Sequence, residues 1–305
     1  MSKQSKAAFV AIVGRPNVGK SSILNTLIGQ KVAIVSPRPQ TTRTRIMGVL
    51  TEDEVQIVFT DTPGMHLPKT RLGNFMVHEI GESIGGVDFC VFVVEEKGEL
   101  NPAELQLIET FRQQSMPTVL VINKIDRLAK KELLAERIAQ ICELYDFKAV
   151  VPVSAVTGDG MDILKKELFA LAEPSPHFFP DDTLTDQPER VIAAEIVRES
   201  ALKLLSEEVP HGIAIDIESM KERVSGEKGE IMDLTATVYC EKSSHKGIII
   251  GKKGAMLKRI GTNARHELER VFGIKVNLVL WVKVREDWRN SESNLRRFGF
   301  VKRDD

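Results

Sequence analysis

The chain has 305 residues, of which 42% are hydrophobic and 28% charged, with a formal net charge of −1. That length accommodates about two domains, each able to bury its own core, and the composition is globular, neither disordered nor fibrous. Three widely spaced cysteines, Cys90, Cys142 and Cys240, make no disulfide framework, the polar start lacks the apolar core of a signal peptide, and no apolar run approaches membrane-spanning length, so a cytoplasmic protein is expected.

In chain order, the apolar run 8–13 is followed by Gly14-Arg15-Pro16-Asn17-Val18-Gly19-Lys20-Ser21 and then, from Ser22, by helix-spaced residues to position 28. The octet has the spacing G-x-x-x-x-G-K-[ST] between a strand and a helix. In such a phosphate loop, backbone N–H groups cradle a polyphosphate, the lysine reaches the outer phosphates, and the serine hydroxyl holds Mg²⁺. Residues 55–60, 89–94, 118–122 and 149–153 read as short buried strands, and 101–114, 132–145 and 161–172 have helical spacing. Alternating strands and helices predict an α/β domain with a doubly wound, mostly parallel sheet over residues 1–172. Ligands of such a sheet sit outside the carboxyl ends of its strands.

The next chemical residues fall at those ends. Asp61-Thr62-Pro63-Gly64 closes the strand at 55–60, placing a carboxylate beside the Mg²⁺ on Ser21 and a glycine N–H near a terminal phosphate. Asn123-Lys124-Ile125-Asp126 follows the strand at 118–122. An aspartate there accepts two hydrogen bonds from guanine and none of that pairing from adenine, so Asp126 selects GTP over ATP. Ser154-Ala155, after 149–153, places a backbone N–H near the guanine carbonyl. Between loop and Asp61, residues 36–43 read as a polar, proline-punctuated connection that carries hydroxyls, Thr41 and Thr42 among them.

These motifs, with Gln40-Thr41-Thr42-Arg43, resemble the translation-factor-like GTPases and, within them, the bacterial Era family. The resemblance implies that Thr42, with Thr41 as second choice, joins Ser21 on Mg²⁺, with Asp61 acting through water. On hydrolysis that Thr42 contact disappears and its segment relaxes, and the resemblance places further switch residues from Asp61 to Met65. Met65 stands where many GTPases have a water-orienting glutamine, and a thioether cannot take that role. Asn17 implies K⁺ beside the phosphates, as in related GTPases with asparagine at that position. His66 reads as an exposed loop histidine, with a general base as the alternative.

Residues 173–188 are proline-dense and aperiodic and read as a linker, with Phe178 and Phe179 placed to pin it to a domain surface. Residues 189–305 then give helix, two strands, helix, loop, helix and strand. The loop is Ile250-Gly251-Lys252-Lys253-Gly254, ahead of a helix-patterned run with Leu257, Ile260, Ala264, Leu268 and Val271 inward and Lys258, Arg259, Arg265 and Arg270 outward. A basic G-x-x-G loop of this kind clamps single-stranded RNA backbone, and the order resembles a smaller α+β type II KH domain. A second G-x-x-G, Gly226 to Gly229, reads as a hairpin turn. Residues 242–303 carry sixteen Lys or Arg against five Asp or Glu, which fits a polyanionic partner or, alternatively, a solvated basic face.

The whole-chain resemblance to Era proteins implies a monomeric GTP/GDP switch that binds 16S rRNA near its 3′ end and helps to mature the 30S subunit. It also implies peripheral association with the inner membrane. A tRNA-modification GTPase would instead be expected to carry a helical domain and a C-terminal cysteine, and this chain ends Phe300-Val301-Lys302-Arg303-Asp304-Asp305. A non-enzymatic RNA-binding protein with a vestigial nucleotide site is disfavoured by intact Lys20, Ser21, Thr42 and Asp61.

Overall fold

The computed structural model describes residues 4–38, 41–64, 70–72, 76, 83–130, 132–207, 209–225, 229–298 and 300. They form two compact units, one drawn from residues up to Ala33, 42–68 and 76–186, the other from Ile34–Thr41, Lys69–Phe75 and 187–305.

In the first unit a seven-stranded sheet runs in the order β2-β3-β1-β4-β5-β6, where β1 is Lys6–Val13, β2 Ile46–Glu52, β3 Val55–Asp61, β4 Phe89–Glu95, β5 Thr118–Asn123 and β6 Ala149–Pro152; β7, Glu173–Pro174, pairs with β1. The path from β3 to β6 is parallel, and β2 lies antiparallel to β3 at the edge. Successive residues of a strand face opposite sides of a sheet. Accordingly Val10 and Ile12 enter one buried cluster with Val91 and Val93, while Ala11 and Val13 enter another with Cys90, Phe92 and Val94. Cover on both faces explains why these strands are unbroken apolar runs. Fully burying each such Val or Phe contributes roughly 1.5–3 kcal/mol. The covering helices are α1 (Lys20–Ile28), α2 (Pro102–Gln114), α3 (Glu132–Cys142) and α4 (Met161–Ala170).

Two helices stop short of their sequence-predicted ends, at Cys142 and Ala170. The N-terminus of α2 was legible: the Asn101 side chain accepts from the Glu104 N–H while the Glu104 carboxylate accepts from the Asn101 N–H. Strand β2 was not expected. Gly48 interrupts its apolar residues, and the edge position leaves few of them fully buried.

The segment expected to link the domains lies on the first unit. Besides the pairing of β7, buried Gln56 accepts from the N–H groups of Phe178 (2.8 Å) and Phe179 (2.9 Å) and donates to the Phe179 carbonyl (2.9 Å). The Phe178 ring sits 4.4 Å from that of Phe9, and Val49 N–H donates to the Leu184 carbonyl. Proline density thus marks a chain that adds little regular structure yet is held residue by residue.

In the second unit a three-stranded sheet, β10-β9-β8, is covered by α5 (Glu189–Leu204) and α7 (Ala255–Phe272). Strands β8 (Ala214–Ser225) and β9 (Gly229–Cys240) are antiparallel, and β10 (Lys275–Val284) returns parallel to β9 after α6 (Ser243–Ile250) and α7. Ser225 pairs with Gly229 across the expected hairpin; Gly226, Glu227 and Lys228 lie outside the described residues. A final short helix, α8, spans Glu292–Arg297. Trp288 is fully buried, donates from Nε1 to the Gly212 carbonyl (2.9 Å) and meets Phe298 edge-on and Phe300 face-on, so it is a core residue of this unit. Trp281, on β10, is 57% exposed.

Candidate nucleotide and RNA sites

Strand β1 delivers the loop 14–19 at its carboxyl end, and the loop turns straight into α1. Its glycines are dictated by contact. A Cβ on Gly14 would stand 2.3 Å from the Val93 carbonyl oxygen, and one on Gly19 would stand 2.2 Å from Asn123 Nδ2, with φ at +148° and +103°. Asn17 also adopts a positive φ of 66° and is exposed. Val18 is core, and its carbonyl accepts from Asn123 Nδ2 (2.8 Å). Lys20 lies 6% exposed at the centre, donating from Nζ to the carbonyls of Gly14 (3.0 Å) and Arg15 (3.1 Å). Burial lowers its pKa to about 8, against the opposing charges of Asp61 and Glu104. The first turn of α1, including Ser21 and Ser22, has no side-chain cap, which leaves its N–H donors directed at the loop.

Ser21 Oγ donates to Asp61 Oδ2 (2.6 Å) and lies 3.0 Å from Thr42 Oγ1, which is 3.3 Å from the same carboxylate oxygen. Asp61 is fully buried, and its other oxygen, Oδ1, has no hydrogen-bond partner. Burial raises the Asp61 pKa, while the Lys20 charge and the bonds from Ser21 and Thr42 oppose that rise. Two hydroxyls and a carboxylate with an unsatisfied buried oxygen are a donor set suited to Mg²⁺, a hard cation that takes oxygen ligands and retains water.

Thr41 is placed differently from Thr42. It belongs to the second unit, its carbonyl accepts from Arg198 of α5, and its hydroxyl donates to the Arg38 carbonyl (2.6 Å). In that unit Ile34 enters the buried cluster with Ala201, Leu202 and Leu205, and Val35 N–H donates to Glu199 (3.0 Å). The expected polar connection at 36–43 is therefore preceded directly by an apolar anchor at Ile34.

Thr62 Oγ1 bonds the Ile12 carbonyl (2.8 Å), fixing the turn after β3 to β1, and Pro63 is buried. Gly64 approaches the phosphate loop so closely that a Cβ would meet Pro16 Cα at 2.6 Å. Gln40, Met65 and His66 lie outside the described residues.

At the end of β5, Asn123 receives the Ala155 N–H (3.2 Å), and the Ser154 N–H donates to the Asp159 carbonyl (2.9 Å), so both backbone donors of the Ser154-Ala155 pair bond within the unit. Lys124, at φ 69°, donates to the Asn17 carbonyl (2.6 Å), and Ile125 N–H to Val153 (3.2 Å). Asp126 is exposed and accepts from buried Ser154 Oγ (2.6 Å), which holds the carboxylate at the mouth of the site.

In the second unit, Lys252, Lys253, Lys258 and Arg259 are exposed, while Ile250 is half-buried and packs against the core. Positive φ at Gly251, Lys253 and Gly254 shapes the loop, and a Cβ on Gly251 would lie 2.9 Å from the Met256 backbone nitrogen. A groove of about 390 Å³ starts at Gly254 and runs between α7 (Leu257, Lys258, Gly261, Thr262, Arg265) and β10 (Leu278, Leu280). Gly261 and Thr262 were missed, although they recur at helical spacing from Gly254. Of the outward cations, Arg265 and Arg270 pair with Glu269 and Glu267 along the helix.

The family described as "50S ribosome-binding GTPase" matches residues 9–124, and the family "KH domain" matches 208–289. The chain is 49% identical over 295 residues to GTPase Era of Ruminiclostridium cellulolyticum (97% of each chain), and 48% over 299 residues to that of Clostridioides difficile (97% and 98%). The chain belongs to the Era family of GTPases. It is thus a GTP-hydrolysing enzyme with a P-loop domain and a KH domain. A solved Era structure in complex with MgGDPNP and nucleotides 1506–1542 of 16S ribosomal RNA matches with a TM-score of 0.92 at 39% identity, covering 98% of this chain and 100% of that one. A variant of Aquifex aeolicus Era bound to GDP and AlF4⁻ also gives 0.92 at 39% identity, covering 97% and 100%. No described helix is long and apolar enough to cross a membrane.

Proposed function

We propose that this Era-family GTPase is a GTP-gated clamp on the 3′ end of 16S rRNA that assists 16S rRNA processing and 30S assembly. It acts as a cytoplasmic monomer with peripheral contact to the inner membrane. The observation that carries the reading is the joint presence of the Ser21–Thr42–Asp61 cluster in one unit and the Gly251–Gly254 loop at the head of a groove in the other. The Era relative that matches over nearly the whole chain holds a 16S fragment together with a magnesium nucleotide.

In this reading residues 1–172 bind nucleotide, 173–188 connect, and 189–305 bind RNA. Ser21, Thr42 and Asp61 would hold Mg²⁺, which would supply charge neutralisation at the phosphates. Lys20 adds a second cation, and the N–H groups between Gly14 and Ser22, Pro16 having none, wrap the phosphates. Gly64 brings the turn after Asp61 against Pro16. Asp126 selects guanine, with Asn123, Lys124, Ile125, Ser154 and Ala155 forming its wall. Asn17 would hold K⁺, which would supply positive charge where the transition state is anionic. Ile250 packs beneath the RNA loop, Lys252 and Lys253 meet phosphates at it, and Lys258 and Arg259 extend the basic face along α7.

The test is affinity for a single-stranded 16S 3′-end RNA with GTP analogue and with GDP, alongside Lys252→Asp/Lys253→Asp. Tighter binding with the analogue, lost in the variant, is expected; equal binding with both nucleotides overturns the gate. Turnover in K⁺ against Na⁺ buffers checks Asn17, and equal rates remove the K⁺ role.

A further inference from the structure

Glu95 has no place in the motifs that define the nucleotide site, yet it stands between two of them. Strand β4 ends at Glu95, in register with Asn123 on β5, and lies beside β1. Its carboxylate therefore emerges where the phosphate loop and the guanine motif leave the sheet. Oε2 accepts from Arg15 Nη2, and Oε1 accepts from Lys124 Nζ. Each cation reaches further. The Arg15 carbonyl accepts from Lys20 Nζ (3.1 Å), and Lys124 Nζ also donates to the Asn17 carbonyl (2.6 Å). Arg15 Nε lies 3.7 Å from Glu104, a carboxylate 1% exposed and fixed by its capping role on α2.

We propose that Glu95 is a positioning residue for guanine nucleotide, a single carboxylate that ties the phosphate loop through Arg15 to the base-recognition motif through Lys124. The inference rests on the assignment of Arg15 to Lys20 and of Lys124 to the nucleotide site. Although burial pushes the Glu95 carboxyl upward, the bonds and charges of Lys124 and Arg15 hold it below its ordinary value, so it is ionised at neutral pH. All three side chains are half-buried, where paired charges are less screened than on an open surface. Among the described residues, Glu95 bonds Arg15 and Lys124 and not Ser21, Thr42 or Asp61, so its removal loosens the cradle without touching the hydrolytic cluster. GDP and GTP are then released faster by a similar factor, and the chemical step is left alone.

The experiment uses the full chain carrying Glu95→Gln, which keeps the shape and removes the charge, and Glu95→Asp, which keeps the charge and shortens the reach. Dissociation rates of fluorescent GDP and of a non-hydrolysable GTP analogue are measured with steady-state KM and kcat. Glu95→Gln is expected to speed release of both nucleotides by about tenfold and to raise KM by a similar factor, with kcat within about twofold and Glu95→Asp intermediate. In a Lys124→Met background the same substitution adds less, because part of its effect passes through Lys124. Asp126→Asn is run in parallel with xanthine nucleotides, whose C2 carbonyl accepts from an amide. A shift of preference from guanine to xanthine with unchanged release from Glu95→Gln overturns the positioning role alone; no shift overturns the site assignment beneath it. A fall in kcat at unchanged affinity also overturns the proposal.

Discussion

In the first unit the groups around the phosphate loop are withdrawn from solvent, with Lys20 at 6% exposure, Asn123 at 2% and Asp61 at 0%. In the second, Lys252, Lys253, Lys258 and Arg259 all stand in solvent beside an open groove. In the proposed reading, a small polyphosphate is gripped by a cradle whose backbone is fixed in advance, where removing one group leaves its neighbours buried without a partner. In the same reading, a nucleic-acid strand is met by exposed cations whose individual contributions are modest and depend on salt. Substitutions should therefore act abruptly in the first unit and by degrees in the second.

The largest effect tests the abrupt side. Lys20→Ala removes the central cation and exposes the Gly14 and Arg15 carbonyls to a space without a donor. It is expected to lower kcat/KM for GTP by at least about a hundredfold, measured as phosphate release. A loss of only a few-fold would mean that the cradle is as tolerant as the RNA face.

Lys252→Asp/Lys253→Asp tests the graded side. RNA affinity should fall by about ten- to a hundredfold, and the slope of log affinity against log salt should flatten by about 0.7 per lost phosphate contact, while GTP turnover without RNA is unchanged. An unchanged salt slope would separate these lysines from the phosphates.

A smaller effect is expected where the first unit holds its own connecting segment. Gln56→Ala leaves the Phe178 and Phe179 N–H groups without their acceptor and should destabilise the first unit by about 1–3 kcal/mol in denaturant unfolding, with the second unit unaffected. Equal loss in both units would show that the segment is not a local clasp.

The smallest effect concerns His177, which bonds the Asp181 carboxylate (2.7 Å) and the Glu54 carbonyl (3.1 Å). The Asp181 bond raises its pKa above 6.5, with burial opposing and Glu54 assisting. A raised folded pKa gives stabilisation that is complete below 6.5 and lost as pH rises through the folded value. A proton NMR titration of His177 should show a midpoint above that of free histidine, and hydrogen exchange near residues 175–181 should quicken as pH passes it, beyond the intrinsic increase.

The sequence revealed the fold where chemistry forces a short pattern. The phosphate loop was legible because close approach leaves only glycine at positions 14 and 19, and the core strands because cover on two faces demands continuous apolar residues. Strand β2 stayed hidden because an edge strand with Gly48 carries neither signal. The anchor of Ile34 stayed hidden for a related reason: it lies in an apolar run of only four residues, 32–35, too short to show a period. Glu95 could have been noticed only as a charge ending an apolar run, a feature shared with many solvated strand ends. Its partners, Arg15 and Lys124, leave the ends of two neighbouring strands that meet it only in space, and no local spacing encodes them.

The placement of the tryptophans has a practical consequence. Both of the chain's tryptophans, Trp281 and Trp288, lie in the second unit, one 57% exposed on β10 and one fully buried. Intrinsic emission excited at the red edge of absorption therefore reports on the RNA-binding unit alone, with an iodide-quenchable component from Trp281 and a shielded, blue-shifted one from Trp288. A fluorescent nucleotide in the other unit supplies a second optical channel, so the unfolding of each half can be followed separately in one cuvette.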